Sequence, residues 1–301
     1  MSVIPAIPEP GAPGAYELTT VRAVRREARR VRRWYTQPAL MSGIAIMTIV
    51  LALAIAAPLI TPYNPNAQNL NATLLGPSAH HLLGTDQLGR DVFTRLLSGT
   101  RLDLRIAFIA VLFPFTIGIV LGSVAGYFGG WVDTVVMRVV DVVVAFPFYV
   151  LVIALVFVLG PGERSIYIAI TVVGWVSYAR IIRGEILVAK RQDYILAAQA
   201  GGLGSVRIMR RHLLPNVITQ AIIYSMSDII QDIVAIVTLG YFGLGVPPPT
   251  ADLGSMFNDG QNFLSTHWQL TTFPGLAVVL VGLGLSLIGD GLADLLRPGQ
   301  A

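Results

Sequence analysis

The chain contains no cysteine and a single lysine. Without cysteine it forms no disulfide and offers no thiolate to a metal, and its four histidines show no ligand spacing typical of a metal site. The lysine, Lys190, follows an alanine, so the chain lacks the Gly-x-x-x-x-Gly-Lys-Ser/Thr loop that holds nucleotide phosphates. Because it lacks that loop, the chain is not expected to hydrolyse ATP by itself.

Charged side chains are also scarce. They make up 13% of the 301 residues, whereas 54% are hydrophobic, and soluble domains carry roughly 25% charged residues. No Asp, Glu, Lys or Arg occurs within residues 34–85, 106–132 or 142–162. A charge-free apolar run of about 20 residues is long enough to cross a bilayer as a helix. A large soluble core would interrupt such runs with polar faces, so the sequence predicts an all-α polytopic membrane protein.

Six transmembrane helices are predicted from these runs. The first could also be the apolar part of a signal peptide, since residues 54–56 (Ala-Ile-Ala) resemble a cleavage site, but the run is too long and starts too late. The predicted spans are residues 39–60, 104–126, 133–158, 165–186, 217–240 and 272–291.

Arginines set the predicted orientation. Residues 1–34 are predicted to be a disordered, basic N-terminal tail. Basic residues beside the first span stay in the cytoplasm, so six spans place both termini and the loop 187–216 there, with 62–103 and 244–270 facing outward. The net charge of +4 is then an orientation signal and not a sign of nucleic-acid binding. The arginines of the tail are Arg22, Arg25, Arg26, Arg29, Arg30, Arg32 and Arg33.

Four arginines in or beside the predicted outward segment depart from the rule that basic residues stay in the cytoplasm. They alternate with three aspartates at helical spacing, which predicts a helical segment lying along the outer surface. The residues concerned are Asp86, Arg90, Asp91, Arg95, Arg101, Asp103 and Arg105.

Gly118, Gly122 and Gly126 lie four residues apart in the second span. Small residues on one helix face let another helix approach closely. Packing within this chain is the favoured interpretation, and a dimer contact is the alternative.

The loop 193–216 differs in composition from its surroundings. Asp193 is predicted to cap a short helix over 193–200, which Gly201 and Gly202 end. A second short basic helix runs from residue 204 to 212, and Pro215 starts the next span. Its small residues would let another protein approach closely, and its arginines would attract acidic groups. A basic loop that only satisfies topology is the alternative, and the residues alone leave both open.

Residues 193–216 resemble the "EAA" loop of bacterial ATP-binding-cassette (ABC) import permeases, through Ala197, Ala198, Gly202, Leu214 and Pro215. Leu196 stands where the family has a glutamate, which puts that glutamate's salt bridge in doubt. Further motifs resemble the C-type permease of the dipeptide, oligopeptide and nickel importers. These motifs are residues 84–91, 127–133, 145–147, 175–180, 243–250, 273–275 and 289–294.

The resemblance implies the type I ABC importer permease fold in a bacterial plasma membrane. The permease domain would be 35–298, with a core at 104–293. It also implies a second permease, two ATPase subunits that bind ATP and Mg, and an extracytoplasmic binding protein, with no cofactor in this chain. Peptide, nickel and glutathione remain possible substrates. The residues expected to couple to the ATPase are Asp193, Tyr194, Leu196, Ala197, Ala198, Gly201, Gly202, Arg207, Arg211, Leu214 and Pro215.

Three aspartates at membrane depth, Asp141, Asp228 and Asp232, are candidates to line the translocation pathway. They also support the main alternative, a transporter driven by protons or sodium, although no basic partner at that depth can be assigned. A membrane scaffold without transport would leave the Ala/Gly loop unexplained. The outward segment 243–270, stiffened by prolines at 247–249, is either a docking surface or gate, or a re-entrant packing loop.

Overall fold

The computed structural model describes residues 37–296, and the predicted tail at 1–34 lies outside them. These residues form α-helices and no β-strand beyond one isolated bridge between Thr85 and Asp91. Short 3₁₀ and π-helical segments occur at Leu70–Ala72 and Met209–Leu213. The α-helices are α1 (Pro38–Ile60), α2 (Val92–Phe128), α3 (Gly130–Val144), α4 (Phe148–Leu159), α5 (Glu163–Ala189), α6 (Asp193–Ala200), α7 (Ser205–Ile208), α8 (Leu214–Tyr241), α9 (Leu253–Gln261) and α10 (Gln269–Leu296).

Five helical stretches within these residues are long and apolar enough to span a membrane, and a bent pair supplies a sixth. The predicted third span, 133–158, is wrong as a single helix, because α3 and α4 meet at 86°. The cause is local. Pro147 has no N–H to donate, and its ring disfavours helical geometry at Phe146, so α3 ends before this pair.

Helix α2 begins well before the predicted start of the second span. Its 37 residues extend about 55 Å, which is longer than the roughly 30 Å hydrocarbon core. The segment that carries Arg95 and Asp103 is therefore continuous with the span, and the expectation that it lies along the outer surface is wrong. Both side chains are buried, whereas Arg101 and Arg105 remain exposed.

The glycine row in α2 packs against α5, which confirms the prediction of packing within the chain. A Cβ atom on Gly122 would lie 2.5 Å from the carbonyl oxygen of Ala179, and one on Gly126 would lie 3.1 Å from that of Arg183. The backbones therefore come so close that a Cβ atom at Gly122 would clash with α5 and one at Gly126 would be crowded by it. This contact fixes α2 and α5 as the centre of the bundle.

Helix α1 packs against α10 at the edge of the bundle. A Cβ atom on Gly43 would lie 2.8 Å from the Gly284 carbonyl oxygen. The opposite face of α1 exposes Ile49, Ile55 and Leu59. Such a face suits contact with lipid, because hydrocarbon is as apolar as these side chains.

The bundle has two ends that differ in construction. The loop end contains α6, α7 and the π-helical segment, together with the end of α2 and the start of α3. The cap end contains residues 61–91, the start of α2, and residues 242–268 with α9.

Candidate functional site

Helix α6 has the predicted bounds, Asp193–Ala200, but not the predicted cap. Gln192 is the N-cap residue, and no side chain caps the helix. Asp193 lies in the first turn, where its negative charge interacts favourably with the helix dipole. The prediction that Asp193 caps the helix is therefore wrong, although the residue does mark where the helix starts.

A Schellman motif ends α6 at the predicted glycine pair. The Leu203 N–H donates to the Ala198 carbonyl oxygen at 3.2 Å, and the Gly202 N–H donates to that of Gln199 at 3.0 Å. Gly202 has a φ of +76°, a left-handed conformation that favours glycine. The corner between the two short helices therefore has a defined geometry.

Three buried apolar side chains hold this loop against the bundle: Ile195, Ile208 and Leu213. They pack in one cluster with α5 residues Tyr178 and Ile182, and with the start of α8. Sequence reasoning missed them, although isolated large apolar residues in a stretch of small and basic ones were a usable signal. The loop is anchored by its own hydrophobic contacts.

The expected coupling residues divide into two groups by exposure. Leu196 is 50% exposed. Ala198 and Leu214 are half-buried against the anchoring cluster, which suits them to packing more than to docking. Val206, which sequence reasoning did not select, is 63% exposed. The exposed members are Asp193, Tyr194, Leu196, Ala197, Gly201, Gly202, Arg207, Arg211 and Pro215.

The second short helix joins the fifth span without a break. The structure continues from Ser205 through Met209–Leu213 into α8, where the Leu214 N–H donates to the Met209 carbonyl oxygen. The prediction that a separate helix ends at His212 is therefore wrong, whereas Pro215 lies in the first turn of α8, as predicted. Pro215 has no N–H to donate. The π-helical turn at Met209–Leu213 directly precedes it and lets the helix continue past the missing hydrogen bond.

Polar contacts tie the loop end together. Arg183 on α5 forms a two-pronged salt bridge with Asp133 on α3, in which Nη2 and Oδ2 are 2.6 Å apart. The Lys190 ammonium donates to the Gly126 carbonyl oxygen at 2.9 Å. These contacts join α2, α3 and α5 directly beside the loop.

The three candidate pathway aspartates have different surroundings. Asp228 and Asp232 are 4% and 1% exposed, enclosed by this chain's own helices. The Tyr178 hydroxyl donates to Asp228 at 2.7 Å, whereas Oδ2 of Asp232 has no hydrogen-bond partner within the described residues. The Asp141 side chain is 67% exposed. Of the three, only Asp141 has the exposure that lining a pathway requires.

At the cap end, charged side chains are buried. Arg90 donates to Asp86 at 2.6 Å and to Asp259 on α9 at 3.1 Å. The Arg95 guanidinium donates to the Pro65 carbonyl oxygen at 3.0 Å. The His81 ring nitrogen lies 2.9 Å from Asp91. These bonds attach residues 61–91 to α2 and α9.

Helix α9 is fixed by carboxylates and glycines. Asp252 caps it by accepting from the Ser255 N–H at 2.9 Å, and Asp103 accepts from the Leu253 N–H at 3.1 Å. Burial raises the pKa of Asp252, against the hydrogen bonds from Ser255. A Cβ atom on Gly254 would lie 2.8 Å from the Tyr241 nitrogen. The cap end is thus a packed structure in which α9 lies directly on α8.

Two family models match the chain. Residues 118–301 match the binding-protein-dependent transport system inner membrane component. Residues 26–77 match the N-terminal transmembrane domain of oligopeptide transport permease C. The first match alone covers more than half of the chain.

Characterised relatives agree with these matches. The chain is 39% identical to the dipeptide transport system permease protein DppC of Bacillus subtilis, over 91% of this chain and 89% of that protein. It is 36% identical to the nickel transport system permease protein NikC of Escherichia coli K12, over 88% of this chain and 95% of that protein.

Among solved structures, the fold matches the inward-facing MetNI methionine ABC transporter with a TM-score of 0.53 and 21% identity. The match covers 67% of this chain and 96% of that chain. The described residues therefore have the type I importer permease fold, as predicted. The two family models and the relatives together show that the chain belongs to the binding-protein-dependent transport permeases, in the branch of the dipeptide, oligopeptide and nickel permeases.

Proposed function

We propose that this chain forms half of the pathway of a short-peptide importer and receives its driving force through the 193–216 loop. The observation that carries the proposal is the construction of the loop. Its small and apolar residues Leu196, Ala197 and Gly202 are exposed, while Ile195 and Leu213 anchor it to the bundle. A surface that is exposed yet held in place suits docking to a second protein.

The complete transporter in this proposal has five components. A second permease shares the pathway, two ATPase subunits bind ATP and Mg on the cytoplasmic side, and an extracytoplasmic binding protein delivers substrate to the cap end. Both termini and the loop are then cytoplasmic, and the membrane is the bacterial inner membrane. The absence of a phosphate-binding loop from the sequence supports separate ATPase subunits.

Docking is tested with Ala197→Arg, because Ala197 is exposed and helical, so that a larger side chain adds no backbone strain. Overpacking a close contact costs about 1–3 kcal/mol, which weakens binding of the ATPase subunits roughly tenfold or more. The measurement is a pull-down of the ATPase subunits alongside peptide uptake and transport-linked ATP hydrolysis, all of which should fall together.

The matched control is Ser205→Arg, which adds the same side chain at another exposed position of the loop. Gly202→Asp is a second test, and Gly202→Ala separates its charge from the strain at positive φ. Ala198→Arg would disturb the anchoring cluster as well as docking, because Ala198 is half-buried. Full ATPase binding by Ala197→Arg would show that the loop is only a turn.

Short peptides are proposed as substrate because relatives named for dipeptide transport align over most of the chain. A nickel permease aligns nearly as well and gives the second candidate. A deletion strain should lose uptake of peptides of two to five residues and keep nickel uptake. The opposite pattern would contradict the peptide assignment.

A further inference from the structure

A polar cavity of about 560 Å³ lies between α3 and α5, beside the bend that joins α3 to α4. Its polar lining consists of Asp141, Arg180 and Arg183, and its apolar lining comes from Met137, Val140 and Val144 on α3 and from Ala145, which follows that helix. Helix α3 ends at this bend, and α4 continues at 86° to it. Neither the loop end nor the cap end, as described above, gives this cavity a role.

The charges around the cavity are unequally matched. Arg183 is bound by Asp133, and Asp141 lies 3.8 Å from Arg138. Arg180 is exposed and forms no salt bridge with any residue in 37–296. One guanidinium is therefore left free to bind a group from outside the chain.

Arg180 lies well inside helix α5 and not at its end. It follows Ala179, the residue that packs on Gly122 within the bundle, and lies about 14 Å before the end of α5. An ionisable side chain at such depth is unfavourable against lipid and normally faces a water-filled cavity or pathway. The open, polar cavity beside α3 provides that environment.

Because the planar fork of arginine matches carboxylate and phosphate oxygens and repels cations, we propose that Arg180 binds the terminal carboxylate of the transported peptide near the loop end of the pathway. This inference rests on the proposed peptide import. The phosphate of an anionic lipid presents the same chemistry, so the test must separate the two sources.

The test uses the complete transporter in liposomes and compares two forms of one peptide without acidic side chains, the free acid and the C-terminal amide. Wild type, Arg180→Gln, Arg180→Lys and Arg164→Gln are compared. Arg164 is the matched control, an exposed arginine in the first turn of the same helix that forms no salt bridge within the described residues. The wild type and the three variants use the same binding protein. Any preference of the binding protein for one peptide form therefore cancels when each variant's uptake is divided by that of wild type.

We expect Arg180→Gln to slow free-acid uptake about tenfold, the loss typical of one charged hydrogen-bonding partner. Amide uptake should be unchanged, Arg180→Lys should be intermediate, and Arg164→Gln should match wild type. Equal losses for both peptides would indicate a structural role or a partner's carboxylate, and no loss for either would show that Arg180 does not bind the peptide. Either result would overturn the assignment. A loss of both peptides that disappears in liposomes without anionic lipid would assign the site to lipid instead.

Failure of the proposed function has a different signature. A wild-type transporter that takes up neither peptide would overturn peptide import and, with it, this assignment. A wild-type transporter that takes up both while Arg180→Gln behaves identically would overturn only the role of Arg180.

Discussion

At the cap end of the bundle Arg90 is buried and paired with Asp86 and Asp259, whereas at the loop end Arg207 and Arg211 are exposed and form no salt bridge among the described residues. Exposed apolar side chains occur at both ends, Leu196 and Val206 beside those arginines and Leu70 and Trp268 at the cap end, so the two ends differ in how their charges are paired. A buried charge must find its partner inside the chain, while an exposed one is free for another protein. Arg90 is thus satisfied within the chain, whereas the arginines of the loop end are available for a contact outside it.

The largest expected effect comes from breaking the cap end. Arg90→Ala removes the closer guanidinium partner of the buried Asp86 and leaves only Arg95, 3.6 Å away; breaking a buried pair typically costs about 3–5 kcal/mol. The thermal unfolding midpoint of the transporter purified in detergent should fall markedly. Arg101→Ala is the control, because Arg101 is an exposed arginine of the same region with no salt bridge within 37–296. Equal unfolding midpoints for Arg90→Ala and Arg101→Ala would contradict the view that buried, paired charges stabilise the cap end.

Neighbouring residues at the loop end separate anchoring from docking. Ile195→Ala removes a fully buried side chain and should cost about 2 kcal/mol of stability, near the lower limit for such changes because the loop is held by one small cluster. Leu196→Ala should leave the unfolding midpoint unchanged and weaken capture of the ATPase subunits. A stability loss in Leu196→Ala equal to that in Ile195→Ala would mean that the loop has no docking face.

The smallest expected effect is in the middle of the bundle. Asp228 is buried like Asp86, but its neighbours Tyr178 and Tyr224 are hydroxyl donors and it forms no salt bridge within the described residues. Asp228→Asn keeps a hydrogen-bond acceptor and separates no ion pair, so it should cost about 1 kcal/mol. Asp86→Asn, which removes the charge that faces Arg90, should cost more. The same unfolding measurement tests this order, and a reversed order would show that Asp228 has a cationic partner.

The sequence predicted the features of this fold that depend on neighbouring residues. Charge-free runs located the spans, and the spacing of three glycines predicted packing within the chain, which the structure shows to be against α5. The bounds of α6 followed from Asp193 and the glycine pair. The bend at Pro147 was equally local, but the apolar run around it concealed the break.

Features that depend on distant partners could not be predicted in this way. Charges at residues 86–103 indicated a surface, yet Arg90 is buried because Asp259 meets it from the far end of the chain. Asp103 is buried because it accepts from the N–H of Leu253. The coupling role of the loop stays a prediction, since exposure shows which residues are available and not which protein they meet.

The unbroken helical path from Ser205 to Tyr241 has a mechanical consequence. Its 37 residues make a lever about 55 Å long, with one arm in the loop and the other beneath α9. A rotation of this rigid path by about 10° about its loop end would carry Tyr241 through roughly 10 Å. A small rotation at the loop end would thereby become a displacement of about a side chain's length or more at the cap end.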